Sequence, residues 1–419
     1  MPQLQKIVCA LDLSEHSKVV AEYATMLAKM SGASIVAVYA APTLTQYTGF
    51  HVPPNTIDSF VGEIVSGAEK AMTTFVAEHF GDVPVKAEVV VGYAAEEILA
   101  LAENEKADLI VMGTHGRKGI DRILFGSVGD PRKYTFTGAN GTKKYPSRKE
   151  AAVKALASFR RGMELFANIR PAKVYPQLIQ ASPLKDTVAR ELDLIVLREN
   201  TAGIFYAGKY RKEIGGELTA CDECVYTWSQ IERHARCAFD LAMGRKKHVT
   251  MVNKPNAMET GVLWQTVYEK VAEEYPEVHY ETMLIDGCAA RLVSRPGYFD
   301  VIAAENMFGD ILSDLANSAA GSMGIAGSGD IGSEGKGLYE CAGGSAPDIA
   351  GQNIANPIAE ILSAALMLRL SFHMTFEADA IEAAIVKVLD DGYRTGDIMT
   401  PGGKRLSCSD MGDAISEAI

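Results

Sequence analysis

No apolar run in the chain approaches the ~18 residues that would span a bilayer, so a membrane partner is not expected. The N-terminus, MPQLQKIVCALD, lacks the basic region, apolar stretch and cleavage site of a secretion signal. Basic charge is short: 41 Lys and Arg stand against 53 Asp and Glu, a formal net charge of −12. That balance argues against a nucleic-acid partner held through its phosphates, which needs clustered cations. The seven cysteines are odd in number and scattered (Cys9, Cys221, Cys224, Cys237, Cys288, Cys341, Cys408), so no disulfide framework is expected and the cytoplasm is the expected compartment. Internal repeats and low-complexity tracts are missing too. What is present is an ordinary globular composition, 47% hydrophobic and 22% charged, over 419 residues. A chain of that length should fold as two or more domains.

Residues 1–128 alternate strand and helix signals. KIVCALD (Lys6 to Asp12), ASIVAVYA (Ala33 to Ala40), VKAEVVVG (Val85 to Gly92) and ADLIVMG (Ala107 to Gly113) read as strands. Helices are predicted from Ser14, a candidate N-cap, to Met30, around Phe60 to Phe80, and over AAEEILALAENE. Val- and Ile-rich strands separated by helices predict a doubly wound parallel α/β sheet covered on both faces. The last strand runs into GTHGRKGIDRILFGS (Gly113 to Ser127). Glycines at a strand end let backbone amides approach phosphates. Asp12 ends the first strand, at the carboxyl edge where ligands of open α/β sheets bind.

This stretch resembles the universal stress protein family, through Asp12 with SEHS, ADLIVMGTHGR, and a G-x2-G-x9-G-S motif. The resemblance implies ATP binding, with Asp12 near the adenine and Gly113, Gly116, Gly126 and Ser127 at ribose and phosphates. His115 reads as a solvated loop residue. The family's closing helix and edge strand are replaced here by GDPRKY.

Residues 129–158, rich in Gly, Pro, Lys and Arg, read as a linker, and residues 159–419 as a second α/β region. There FRRGMELFANIRP offers Arg160 and Arg170, and RENTAG offers Arg198, suited to fork-like binding of a poly-acid. VTMVNKPNAM ends a strand with Lys254, a candidate base if neighbouring cations lower its pKa. Asp286 lies in an apolar segment. Asp310 and Asp314, at i and i+4 in FGDILSDLA, share one helix face. Their mutual repulsion would be relieved by a divalent cation, and all-oxygen ligands favour Mg²⁺ or Mn²⁺.

This second region resembles the β-decarboxylating dehydrogenases of the isocitrate/isopropylmalate family, in FANIRP, RENTAG, FGDILSDLA, GSAPDIAGQNIANP and RTGDI. The resemblance implies NAD-dependent oxidative decarboxylation of a 3-substituted malate, 3-isopropylmalate, of the leucine-biosynthesis type. Arg160, Arg170 and Arg198 would hold its carboxylates, and Asp286, Asp310 and Asp314 the metal. Lys254 and Asp286 would reach into a partner subunit's site, so a homodimer is expected. NAD would be bound by Asn256, by Gly344, Ser345, Ala346, Asp348 and Ile349, and by Asn356, with Asp348 on the ribose hydroxyls selecting NAD over NADP. Gly343 stands where many relatives have His. The family's GIYFG is GIFYAG here: strict alignment puts Phe205 in the catalytic tyrosine's place, and a one-residue slip, the reading favoured, puts Tyr206 there. The isopropyl pocket would lie near Leu156, Ala157 and Ala257.

The dehydrogenase resemblance lacks its opening GDGIGPE-type turn, and the two resemblances meet at GSVGDP (Gly126 to Pro131). Three readings stay open. The N-terminal half supplies the dehydrogenase's missing strands; or it is a stress module with an inert passenger; or the frame is recombined and neither site is complete. Two motifs read as decoys. GSGDIG (Gly327 to Gly332) fits GxGxxG but follows a helical Ala/Ser-rich segment. CDEC (Cys221 to Cys224) has no second ligand pair, so free thiols are expected.

Overall fold

The structure is a computed structural model and describes residues 4–41, 54–113, 136–137, 143–144, 156–344, 346 and 349–419. It divides into two compact units, Met1–Met163 and Glu164–Ile419.

In the first unit the order is β1 (Lys6–Leu11), α1 (Glu15–Ser31), β2 (Ser34–Ala41), α2 (Pro54–His79), β3 (Val85–Val91), α3 (Ala94–Glu105) and β4 (Leu109–Met112). The sheet is parallel throughout, in the order β3-β2-β1-β4. Strand alternation sorts its side chains onto two cores. Ile7, Cys9, Leu11, Ile35, Ala37 and Tyr39 pack beneath α1 and α2 through Ala21, Ala24, Ala28, Ala68 and Met72. Val8, Ala10, Val36 and Val38 point the other way, against Ala94, Ala95 and Ile98 of α3. Small alanines on the helices let them lie close to the sheet. Burial pushes the Cys9 thiol up to about 12, which makes it an inert packing group. At the sheet's amino end Lys6 and Lys86 both reach Glu105 at 2.8 Å.

The expected linker contains structure. Two short strands, β5 (Phe136–Thr137) and β6 (Lys143–Lys144), pair antiparallel. A helix, α4, occupies 156–162. Its Phe159 is buried in the α3-side core, so the first unit extends past the linker to Met163.

The second unit continues with β7 (Ala167–Lys173), α5 (Asp186–Ala189), β8 (Asp193–Glu199), the hairpin β9 (Lys209–Ile214) and β10 (Glu217–Asp222), α6 (Trp228–Met243), β11 (His248–Asn253), α7 (Glu259–Ala272), β12 (His279–Leu284), α8 (Ile285–Ser294), β13 (Val301–Ala304), α9 (Asn306–Ala320), β14 (Gly329–Ile331) and β15 (Gly337–Tyr339). Helices α10 (Ile358–Leu370), α11 (Thr375–Asp390) and α12 (Cys408–Ala418) close it around a core of Ile358, Ile385, Leu389 and Ile415. The central sheet runs β12-β11-β13-β8-β7-β14-β15: the first four strands are parallel, and β7, β14 and β15 pair antiparallel. Odd-numbered Ile195, Leu197, Val249, Met251, Val301 and Ala303 face α6 and α7. Even-numbered Leu194, Val196, Val252, Ile302 and Ala304 face α8 and α9.

Among the described residues each of these sheets takes its strands from one unit only. The supply of missing dehydrogenase strands by β1–β4 is therefore not observed. GSGDIG is no phosphate loop: Gly329–Ile331 is β14 itself, paired on both sides. All seven cysteines are free, as expected. No described helix is long and apolar enough to cross a membrane.

Candidate active site

The alternation that builds the second core also aims its cations. Arg198 continues the even-numbered face of β8, and Arg170 lies on the equivalent face of β7, so both guanidinia point at α9 beneath the sheet's carboxyl end. They are 6% and 8% exposed, and a buried cation needs partners. Arg198 donates through Nε and Nη2 to Asn306 Oδ1 at 2.9 and 2.7 Å, and through Nη1 to Asp310 Oδ1. Arg170 Nη1 donates to Ser313 Oγ at 2.8 Å and to Asp314 Oδ1 at 3.0 Å. The close approach of α9 depends on Gly309, where a Cβ would stand 2.6 Å from Arg198 Cβ.

Asp310 and Asp314 therefore share a helix face as expected, but their repulsion is met by two guanidinia. Each pair uses Oδ1 and leaves Oδ2 for a ligand, and the carboxylate side chains are 42% and 58% exposed. An all-oxygen donor set of this kind fits Mg²⁺ or Mn²⁺. Asp286 sits elsewhere. Its Oδ1 accepts from Lys254 Nζ at 2.7 Å, and the Lys254 hydrogen bond is the main reason its carboxyl lies below the ordinary range. Among the described residues Asp286, Asp310 and Asp314 do not form a set of ligand atoms gathered within 4.8 Å. The neighbour the structure gives Lys254 is thus a carboxylate, where the sequence reading asked for a cation.

A buried acid-and-tyrosine frame holds the site, and sequence reasoning missed it. Glu199 accepts from Thr201 N–H, Thr201 Oγ1 and Ala202 N–H at 2.6–2.9 Å. Burial is the largest influence and leaves its pKa raised. Glu305 caps α9 by accepting from Phe308 N–H at 2.9 Å, and its second oxygen accepts from Tyr226 Oη at 2.8 Å. Tyr226 in turn accepts from Asn306 N–H at 3.0 Å, and Asn306 Nδ2 donates to Ala202 O at 2.9 Å. Burial first, then Glu305 and Glu199, pushes the Tyr226 phenol far above its ordinary value. The acids next to Arg198 and Asn306 in REN and ENM carried a signal; Tyr226 carried none.

The aromatic pair separates clearly. Phe205 places its ring 5.5 Å from the Arg198 guanidinium carbon, while Tyr206 ends the short helical turn Gly203–Phe205 and is half-buried. Arg160 belongs to α4 of the first unit, and Leu156 and Ala157 lie on the same helix. Asn256 and Ala257 are exposed in the turn after β11. Of the expected NAD loop, Gly344 has φ +67 and Ala346 φ +35, and Ile349 N–H donates to Ala346 O at 3.2 Å. Ser345 and Asp348 lie outside the described residues. Asn356 Nδ2 donates to Asp397 Oδ2 at 3.0 Å, and Ser322 Oγ donates to the same oxygen at 2.6 Å.

In the first unit Asp12 and Gly113 follow the paired strands β1 and β4 at one sheet edge. Asp12 Oδ1 accepts from Ser14 N–H, Ser14 Oγ and Ser17 Oγ at 2.6–3.0 Å, so that oxygen serves the start of α1. Ser14 is the N-cap position, yet its hydroxyl serves Asp12 rather than the helix amides. Gly116, Gly126 and Ser127, with His115, lie outside the described residues.

Residues 117–415 match the isocitrate/isopropylmalate dehydrogenase family, and residues 3–131 match the universal stress protein family. The two matches overlap across the GSVGDP segment. The chain is 41% identical over 361 residues to a 3-isopropylmalate dehydrogenase of Halalkalibacterium halodurans, covering 86% of this chain and 95% of that one. It is 46% identical over 306 residues to that of Mannheimia succiniciproducens, covering 73% and 83%. Its fold is similar to the crystal structure of isocitrate dehydrogenase from Methylococcus capsulatus, with a TM-score of 0.60, 28% identity, and coverage of 80% of this chain and 91% of that one. The chain carries a universal stress protein domain at its N-terminus and belongs to the isocitrate/isopropylmalate dehydrogenase family.

Proposed function

We propose that the chain catalyses NAD-dependent oxidative decarboxylation of 3-isopropylmalate. The observation that carries this is the pair of buried guanidinia, Arg170 and Arg198, set against Asp314 and Asp310 on one helix face. Buried cations at a sheet's carboxyl end suit a substrate with two carboxylates, and Arg160 is the proposed third contact. Asp310 and Asp314, with Asp286, would hold Mg²⁺ or Mn²⁺. Asn256, the Gly344, Ser345, Ala346, Asp348 and Ile349 loop, and Asn356 would hold NAD. When bound, the cation supplies polarisation of the substrate's 2-hydroxyl and NAD⁺ supplies the hydride acceptor.

The chain's own groups do the rest. Lys254, once it has released its own proton to solvent, takes up the 2-hydroxyl proton, and its hydrogen bond to Asp286 orients the amine. Tyr206 returns a proton to C3 after CO₂ leaves. Arg198, fixed by Asn306, keeps one carboxylate still while the other departs. The reading includes a homodimer in which Lys254 and Asp286 serve the partner subunit's site. It is supported by the separation of Asp286 from the Asp310–Asp314 pair. The experiment is NADH formation with 3-isopropylmalate, Mn²⁺ and NAD⁺, alongside Lys254→Ala and Tyr206→Phe. Turnover that both substitutions remove is the expected result; no turnover from folded, dimeric protein overturns the reading.

A second reading is ATP binding by the first unit, favoured by Asp12 and Gly113 at one sheet edge. Calorimetric titration with ATP tests it. Heat that Asp12→Ala abolishes supports it, and no heat removes it.

A further inference from the structure

At the amino end of the second unit's sheet, opposite the candidate active site, two histidines and a glutamate converge on neighbouring strands. We propose that His248, His279 and Glu281 form a binding site for a borderline divalent transition-metal ion, Zn²⁺ in the first instance. The argument begins with register. β11 and β12 pair in parallel with His248 opposite His279 and Thr250 opposite Glu281, so alternation puts all four side chains on one face. One ligand atom from each of His248, His279 and Glu281 lies within 4.8 Å of the others. His248 Nε2 and Glu281 Oε1 are already 3.3 Å apart. Tetrahedral zinc with ligands at 2.0–2.2 Å places them about 3.3 Å from one another. His279 is exposed, so a χ rotation can bring its imidazole in to the other two.

Glu281 is already held as a ligand would be. Thr250 Oγ1 donates to its Oε1 at 2.9 Å and Tyr298 Oη to its Oε2 at 2.7 Å. The Tyr298 ring also packs edge-on against His248, with centroids 5.5 Å apart. Such outer partners fix a carboxylate's orientation. Three protein ligands of mixed N and O type leave one position open, and the imidazoles select zinc-like ions over Mg²⁺. Neighbouring cations are largely neutralised: Arg245 pairs with Asp193 and Asp300, and Lys247 with Glu277. Arg291 lies over the Tyr298 ring at 4.4 Å and presents its charge to that π-face.

The site is separate from the chemistry. His248 begins β11 and Lys254 follows its end, six residues or roughly 20 Å along the strand. It would instead clip edge strand β12 to its neighbour.

The test is competition calorimetry of the full-length protein with Zn²⁺ in excess Mg²⁺, which saturates oxygen-only sites. One equivalent of Zn²⁺ per chain is expected. His279→Gln, on an exposed edge strand, should lower the affinity at least ~10-fold with an unchanged thermal melt, and Tyr298→Phe should cost about 10-fold. Co²⁺ in place of Zn²⁺ should give a tetrahedral visible spectrum that His279→Gln removes. Zinc binding that ignores His279→Gln, as binding by the cysteine thiols would, overturns the proposal, and so does no binding.

Discussion

The two units treat buried polarity in opposite ways. Among the described residues, the first buries little polarity: Ser17 and the Tyr39 phenol. The second buries Arg198, Asn306 and Glu305 at the start of α9, Arg170 two turns along it, and Glu199, His234, Asn168 and Asp330 elsewhere. Burying a polar group costs free energy unless it is fully partnered, and the loss on breaking one partner is large. The first unit is thus held together by sorting apolar side chains onto two faces, and substitutions there act through volume. The second has committed part of its interior to a charge network whose members depend on one another. A polar interior kept at such cost is the strongest sign of which unit carries the chemistry.

That contrast can be broken most forcefully at Lys254. Lys254→Ala should lower kcat/KM by about 10²–10⁴-fold, the usual weight of a general base. Its partner Asp286 is exposed, so the urea midpoint should hardly move. Arg198→Ala should do the reverse of sparing the fold: it leaves the buried Asn306 side-chain oxygen without its donor, at a cost of about 1–3 kcal/mol read from urea unfolding. Stability equal to the parent chain would show the network to be dispensable. His234 gives a smaller and pH-dependent effect. Burial holds its imidazole down to about 3. The unfolded chain, with a His pKa of about 6.5, therefore binds more protons in between. Its contribution is complete above about 6.5 and fades as pH falls toward 3, by at most about 1.4 kcal/mol per unit. Urea midpoints at about pH 7.5 and about pH 5 measure the slope, which His234→Gln should flatten. Smallest is Asp12→Ala, which removes the acceptor for Ser14 and Ser17 and should cost about 1 kcal/mol with dehydrogenase turnover unchanged.

The sequence showed the first unit's four strands almost to the residue, because an apolar run bounded by turns is a local signal. It also placed Asp310 and Asp314 on one face, since that needs only helical spacing. It could not show that Arg170 and Arg198 answer those carboxylates, because they come from strands more than a hundred residues away. Nor could it show that the helix carrying Arg160 serves the first core, since Phe159 follows a Gly- and Lys-rich stretch that reads as linker. The Tyr226–Glu305–Asn306 frame joins a loop to a helix start 79 residues further on, and the His248–His279 pair is a product of strand register; no single stretch encodes either.

Gly309 carries a consequence for how this family of sequences can vary. With a Cβ only 2.6 Å from Arg198, even alanine must push α9 off β8, and Asn306, Asp310, Ser313 and Asp314 ride on that helix. One methyl group would therefore detune four polar partners at once. In a saturation library selected for turnover, position 309 should stay as close to invariant as Lys254, though its residue offers no atom to the reaction.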